Sequence, residues 1–317
     1  MLCRICGTEG EFLVFDAREK MYGMGDAHPY FQCSGCGCLQ ISRIPDEMAR
    51  YYGAGYYSFK PRQSGGLYRR VVAARNRHAV IGGGLVASLL NKLQPTQVFD
   101  FLGPARPALN IDSAILDVGC GSGALVLLLR EAGFRNAVGI DPFADADLLH
   151  DGQPLVRCST LADLDGSFDL IMFHHSLEHM PDQLATLRLA HQRLRPGGHC
   201  IVRVPLSSSE AWKRYGLDWV QLDAPRHFYL HSLDSMQRLV RDAGFSCEEV
   251  RFDSTAFQFW GSEQYRKGMA LTDAKSYAVN PSASIFSADE IAGFDAQARQ
   301  LNINRQGDQA GFVLRRV

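Results

Sequence analysis

The chain has 317 residues, 46% of them hydrophobic, and its 33 lysines and arginines against 34 acidic residues leave a formal net charge of −1. That length suits a core domain with an appendage, and the charge balance excludes a broad basic field for collecting nucleic acid. No apolar run approaches a membrane span, and Met1-Leu2-Cys3-Arg4-Ile5-Cys6 lacks the apolar core of a signal peptide. A cytoplasmic protein without membrane contact is expected.

The first element is a pair of cysteine knuckles, Cys3-x-x-Cys6 and Cys33-x-x-Cys36, each followed at once by glycine (Gly7, Gly37). Two thiolates at that spacing can chelate one ion through a tight turn, and two such pairs complete a tetrahedral four-sulfur zinc site. Four protein ligands leave no position for water, so the expected zinc is structural. Cys38 and His28 stand as substitute ligands, and free thiols or a disulfide are the competing reading. Cys120, Cys158, Cys200 and Cys247 read as buried small hydrophobes.

An aromatic hinge, Tyr51-Tyr52-Gly53-Ala54-Gly55-Tyr56-Tyr57, closes a module assigned to residues 1–60. Residues 61–110 read as a helical linker or lid. Its helix is interrupted at Gly82-Gly83-Gly84 and stopped by Pro95, with Arg69, Arg70, Arg75 and Arg77 on a solvated face. Pro104 and Pro107 mark the boundary to a core over residues 111–317.

The core opens with its strongest motif. Ile115-Leu116-Asp117-Val118 reads as a buried parallel strand, followed by Gly119, Gly121 and Gly123 and then the apolar helical run Ala124 to Leu129. Glycines between strand and helix clear the side chains where a ligand lies against bare backbone. Gly119, Gly121 and Ala124 also satisfy the dinucleotide fingerprint. Asp117 decides against a pyrophosphate, which it would repel, and for a ligand with a cationic amino group. Asp141 ends the next strand, where a carboxylate accepts ribose hydroxyls of either ligand.

Further strands fall near 137–140, 155–158, 168–173, 199–204 and 246–252, with a last one at Ala310 to Leu314. Helices run from Asp182 to Leu194 and from Ser232 to Gly244. The pattern is a doubly wound α/β domain. Residues 253–309 are too long for a bare loop and are expected to cover the substrate.

Ser167-Phe168-Asp169-Leu170-Ile171-Met172-Phe173 and Leu194-Arg195-Pro196-Gly197-Gly198-His199-Cys200-Ile201-Val202 closely resemble the fourth and fifth strands of class I S-adenosylmethionine (SAM)-dependent methyltransferases. The resemblance runs from about Ala114 to about Phe245. It implies a seven-stranded Rossmann-like core whose last strand is antiparallel. It also implies SAM contacts at Asp117, Gly119, Cys120, Gly121, Gly123, Asp141, Pro142, Thr160, Leu161, His174 and His175. Glu178 and His179 read as helix-start and packing groups.

Methyl transfer to a hydroxyl needs alignment and a base. The polar-aromatic loop from Gln221 to Ser232 supplies candidates: His227 as base, with Arg226 or Tyr229 orienting the substrate. With the cysteine module, this segment resembles zinc-module methyltransferases of sugar and polysaccharide tailoring, and more distantly nucleotide-sugar C-methyltransferases. In the latter a Tyr and a Glu precede the histidine. Here those positions are Ala224 and Arg226, so O-methylation of a sugar, nucleotide-sugar or related small hydroxylated metabolite is expected. An RNA methyltransferase docked through its zinc module and a non-catalytic SAM-binding partner are the alternatives. The module's Arg4, Arg18, Lys20 and Arg43 against Glu9, Glu11, Asp16, Glu19 and Asp26 argue against RNA. Acceptor atom and homo-oligomerisation stay open.

Overall fold

The structure is a computed structural model that describes residues 1–52, 67–82, 85–93 and 99–317. Hinge residues Gly53 to Tyr57, Gly83, Gly84 and Pro95 lie outside the described residues, as do the side chains of Arg69 and Arg70. The chain opens with β1 (Leu13–Arg18), β2 (Ala27–Gln32) and β3 (Leu39–Ile41), then α1 (Leu67–Ile81) and α2 (Leu85–Leu93). The two helices part at Gly82, whose φ of +73° ends α1.

Next come β4 (Ile115–Val118), α3 (Ala124–Glu131), β5 (Ala137–Ile140), β6 (Leu148–His150), β7 (Gln153–Arg157), β8 (Phe168–His174), α4 (Gln183–Arg193) and β9 (Leu194–Pro205). After α5 (Glu210–Tyr215) follow β10 (Tyr229–Leu230), α6 (Leu233–Asp242), β11 (Phe245–Phe252), α7 (Phe257–Arg266), α8 (Ala288–Ile303) and β12 (Gln309–Arg316).

The large sheet has the order β11-β12-β9-β8-β4-β5-β7-β6. Strands β7, β5, β4, β8 and β9 run parallel, while β12 inserts antiparallel between β9 and β11. This is the mixed α/β Rossmann-like sheet expected, with one extra strand. β6 turns back on β7 through Asp151-Gly152, both at positive φ (51° and 74°). Such a two-residue turn favours Asp-Gly, because both central residues must be left-handed.

Strand β4 is buried at all four positions. Apolar layers cover both sheet faces, one with Ile171, Phe173, Leu187, Val202, Met236 and Leu239 and the other with Ile115, Leu129, Met172, Ile201 and Val313. Phe99, Leu102, Ala105 and Leu109 pack into the second layer. The boundary drawn at Pro104 and Pro107 therefore cuts a 3-10 segment (Asp100–Ala108) that is part of the core. Arg77 is exposed and Arg75 half-buried on α1.

A second core departs further from the linear domain plan. Strand β10 pairs with β3 through Tyr229–Gln40 and Leu230–Leu39, so the small sheet β1-β2-β3-β10 contains a strand from far along the chain. Tyr30, Leu39, Ile41, Trp219, Phe228, Leu230, Phe259 and Ala298 share one cluster with Cys3, Cys33 and Cys36. Each fully buried large apolar side chain contributes roughly 1.5–3 kcal/mol. Residues 253–309 join this cluster through α7 and α8, and Thr272 donates its backbone N–H to Met21 O at 3.2 Å. Among the described residues no helix is long and apolar enough to cross a membrane.

Candidate functional site

The glycine turn after β4 enters a cavity of about 540 Å³. Its walls are Gly119 and Gly121, then Asp141, Pro142 and Phe143 after β5, and Thr160 and Leu161 after β7. His175, Ser176, His179 and Met180 follow after β8, and Tyr52 comes from the N-terminal region. The cavity thus sits at the carboxyl ends of adjacent parallel strands, where open sheets bind ligands. Gly119 has a φ of +72°, and a Cβ there would lie 2.6 Å from Ser176 Cβ, so a side chain would be both strained and obstructed.

Two carboxylates flank this turn. Asp141 Oδ2 accepts from Gly121 N and Oδ1 from Phe143 N, each at 2.9 Å. These bonds fix the carboxylate and leave it lone pairs for further donors. Asp117 is buried, and its Oδ1 has no hydrogen-bond partner. Burial, helped by the charge of Asp141, raises its pKa to about 8. An orphaned buried acid beside a bare glycine turn fits a ligand that carries both a cation and ribose hydroxyls, the chemistry of SAM.

Asp117, Cys120, Gly123 and His174, all expected at the cofactor, are not among the residues that line the cavity. Cys120 Sγ packs beneath Gly139, where a Cβ would meet it at 2.3 Å. Gly123 caps α3 with a φ of +72°. His174 is turned to the opposite sheet face, its ring 4.5 Å from that of Phe101, because successive strand residues alternate sides. Burial lowers its pKa to about 3. His175 faces the cavity with a left-handed φ of +51°, a conformation costly for a non-glycine residue and concentrated at functional sites.

The expected substrate-orienting groups are engaged elsewhere. Arg226 is 0% exposed. Its Nε donates to both Asp223 oxygens at 3.0 Å, Nη2 to Glu19 Oε1 at 2.8 Å and Nη1 to Tyr51 O at 3.1 Å. Burial would lower its pKa, but the carboxylates of Asp223 and Glu19 outweigh burial and raise it. Arg226 has no face left for an anion. Tyr229 is buried in β10 and donates its hydroxyl to Pro181 O at 2.7 Å. Residues 253–309 contribute nothing to the cavity wall; Phe259, Phe294, Ala298 and Leu301 pack into the second core instead.

His227 stands behind the wall rather than in it. Its ring lies 4.8 Å from that of His179, which does line the cavity. Glu178 is not a capping group: its side chain is fully buried beside both imidazoles. Burial would raise its pKa, but His175, with help from His179 and His227, holds it down to about 2. Burial, reinforced by His227, lowers the pKa of His179. Tyr52 of the aromatic hinge, read from the sequence as packing the module or touching substrate, lines the cavity; its ring stacks on Phe143 at 5.8 Å and its hydroxyl lies 3.2 Å from His179 Nδ1. The density of aromatics at the hinge was the available signal.

The four cysteines converge. Cys3 Sγ lies 3.7 Å from Cys36 Sγ, and Cys6 Sγ 3.6 Å from Cys33 Sγ. Four sulfurs each about 2.3 Å from a tetrahedral ion stand about 3.8 Å apart, whereas a disulfide needs about 2.05 Å. The donor set fits a four-thiolate ion and excludes the disulfide reading. Gln40 Nε2 donates to Cys3 Sγ at 2.9 Å, and the Cys36 thiol, as hydrogen-bond partner, lowers the Cys3 pKa. Cys38 and His28 stand outside the cluster. Cys158 and Cys247 are exposed, contrary to the expectation of burial.

Sheet order, glycine turn and paired strand-end carboxylates together define a Rossmann-like enzyme of the class I methyltransferase type. Residues 90–250 match the family described as a methyltransferase domain, and the chain belongs to that family as a SAM-dependent methyltransferase. It is similar to the ubiquinone biosynthesis O-methyltransferase of Chromobacterium violaceum, with 28% identity over 51% of this chain and 75% of that protein. The protein of that name from Xanthomonas axonopodis pv. citri is 26% identical over 61% of this chain and 85% of its own. A Pseudomonas aeruginosa counterpart is 32% identical over 95 residues, so this chain spans only 40% of that relative's length. Among solved structures, a SAM-dependent methyltransferase from Archaeoglobus fulgidus shares 18% identity over 73% of this chain and 100% of its own, with a TM-score of 0.43.

Proposed function

We propose that the protein transfers the methyl group of SAM to a hydroxyl oxygen of a small metabolite. The observation that carries this reading is a single cavity joining the glycine turn and Asp141 to the His175 and His179 wall. Asp141 would take the ribose hydroxyls, Asp117 the cationic amino group, and Phe143 and Leu161 would flank the adenine. Bound SAM supplies a methyl group already activated on a sulfonium. The chain's remaining tasks are to align the acceptor and to accept its proton or its developing charge. The Glu178–His179–His227 group, with His175 3.3 Å from Glu178, supplies such groups at this wall.

Residues 1–60 act in this reading as a zinc-held module, with Cys3, Cys6, Cys33 and Cys36 as ligands, beside a core that includes residues 99–109. The zinc-module resemblance supports a sugar-class acceptor. The loss of Arg226 to ion pairs removes the anion-binding group that a nucleotide-sugar would use. A phenolic acceptor is the second reading, favoured by the stacked Tyr52 and Phe143 and the Met180 wall and by the O-methyltransferase names of the relatives.

The test is incubation with methyl-labelled SAM and cell extract divided into small-molecule, RNA and protein fractions. Label in the small-molecule fraction, released by hydroxyl-ether cleavage, is the expected result. Label in RNA or protein, or on nitrogen or carbon, contradicts the proposal.

A further inference from the structure

Glu178, His179 and His227 form a group that neither the cofactor cradle nor the cysteine cluster uses. Each offers one metal-ligating atom within 4.8 Å of the other two. The Glu178 side chain is fully buried, and neither carboxylate oxygen has a hydrogen-bond partner. His175 Nδ1 stands 3.3 Å from one of them without the alignment of a hydrogen bond. Such a buried carboxylate needs a compensating cation, which only a protonated neighbouring imidazole such as His175 or a bound metal ion would supply.

The imidazoles are held as a metal site would require. His179 Nδ1 lies 2.9 Å from Arg226 O, and His227 Nδ1 lies 2.7 Å from Gln221 O. A carbonyl only accepts, so each Nδ1 carries a proton, and in the neutral imidazole this leaves the Nε2 lone pair free. Ligating histidines are oriented in this way by their outer partners. Asp223, 3.8 Å from His227 Nε2, is already engaged by Arg226. The backbone of Arg226 thus orients one ligand while its side chain neutralises the neighbouring acid.

We propose that Glu178, His179 and His227 bind a divalent cation of mixed nitrogen and oxygen preference at the cavity wall. Opposed ligands on a six-coordinate ion with bonds of about 2.1 Å lie about 4.2 Å apart, so a small inward shift closes the site. Three protein ligands leave positions for water or for acceptor oxygens. His179 lines the cavity, which puts those positions within reach of the acceptor. Resting on the proposed function, the cation would hold the acceptor oxygen and lower its pKa, the proton leaving to solvent. Methyl transfer then forms the oxygen–carbon bond as the carbon–sulfur bond breaks, leaving an ether and a neutral thioether.

The probe is Mn²⁺, which prefers nitrogen and oxygen to thiolate, titrated into the full chain with its cysteine cluster metal-loaded as purified. Free Mn²⁺ is followed by electron paramagnetic resonance. One Mn²⁺ per chain is expected, bound at least tenfold more weakly by Glu178→Gln and by His227→Gln, with SAM affinity unchanged in both. In the wild type, Mn²⁺ should selectively broaden the imidazole proton signals of His179 and His227, a readout independent of any variant. Failure of the wild type to bind Mn²⁺, or full-strength binding in both variants, overturns the site. Mn²⁺ binding without any effect on turnover overturns the acceptor role alone and leaves the proposed function standing.

Discussion

The cofactor-side cradle and the second core solve the placement of charge in opposite ways. In the cradle, Asp117, Gly119, Gly121 and Asp141 come from one β-turn-α-β stretch, and Asp117 Oδ1 is left without a hydrogen-bond partner. In the second core, Arg226 meets Glu19 across 207 positions of sequence, and Asp223 beside it completes the pairing. The first region keeps its polar groups available for a ligand. The second consumes them to lock an N-terminal module onto a distant loop. Charge exposed toward a cavity and charge sealed between two segments look alike in a sequence, yet only the former can act on a substrate.

The largest expected effect tests the sealed region. Cys33→Ser removes one of the four proposed zinc ligands and should lower zinc below one per chain. It should cost more than about 5 kcal/mol of stability, read by metal analysis and denaturant unfolding. Undiminished zinc and stability would break the account of the module.

Next is Arg226→Ala, which leaves Glu19 and Asp223 buried without their partner. It should cost about 3–5 kcal/mol, measured by chemical denaturation. A loss below 1 kcal/mol would mean that the ion pairs do not lock the module.

At the border between the regions, His227→Ala should lower turnover about 100-fold, equivalent to about 2.7 kcal/mol, with SAM affinity intact. Steady-state kinetics alongside SAM titration separates the two quantities. Wild-type turnover would remove His227 from the reaction.

The smallest effect sharpens the open region. The pKa of Asp117 is raised to about 8, chiefly by burial, so below that pH it holds a proton that a cationic ligand must displace. SAM affinity should therefore increase with pH, by roughly eightfold between pH 6 and pH 7. The opposite sign applies to folding without ligand: the native state keeps its proton longer than the unfolded chain, and this contribution to stability is lost as pH rises through about 8. A flat SAM affinity from pH 6 to pH 7 would separate Asp117 from the ligand.

The contrast also explains what the sequence could reveal. Strands β4, β5, β8 and β9 are legible because continuous apolar runs suit strands buried on both faces. The glycine turn is legible because its residues are contiguous. The β6–β7 hairpin escaped notice although Asp151-Gly152 is a strong turn signal, since β6 has only three residues, two of them exposed. The fates of Arg226 and Tyr229 were illegible, because their partners Glu19, Tyr51 and Pro181 are set by tertiary packing alone. Glu178 was read as a helix-start and packing group; its burial agrees with packing, but a sequence does not show that its side chain turns inward to meet His227.

The most direct measurement is a calorimetric titration of SAM into the wild-type protein and Asp141→Ala. The account predicts one SAM per chain for the wild type and a loss of about 2–3 kcal/mol in the variant. No SAM binding to the wild type, or equal affinity in the two proteins, would contradict the assignment of the cavity.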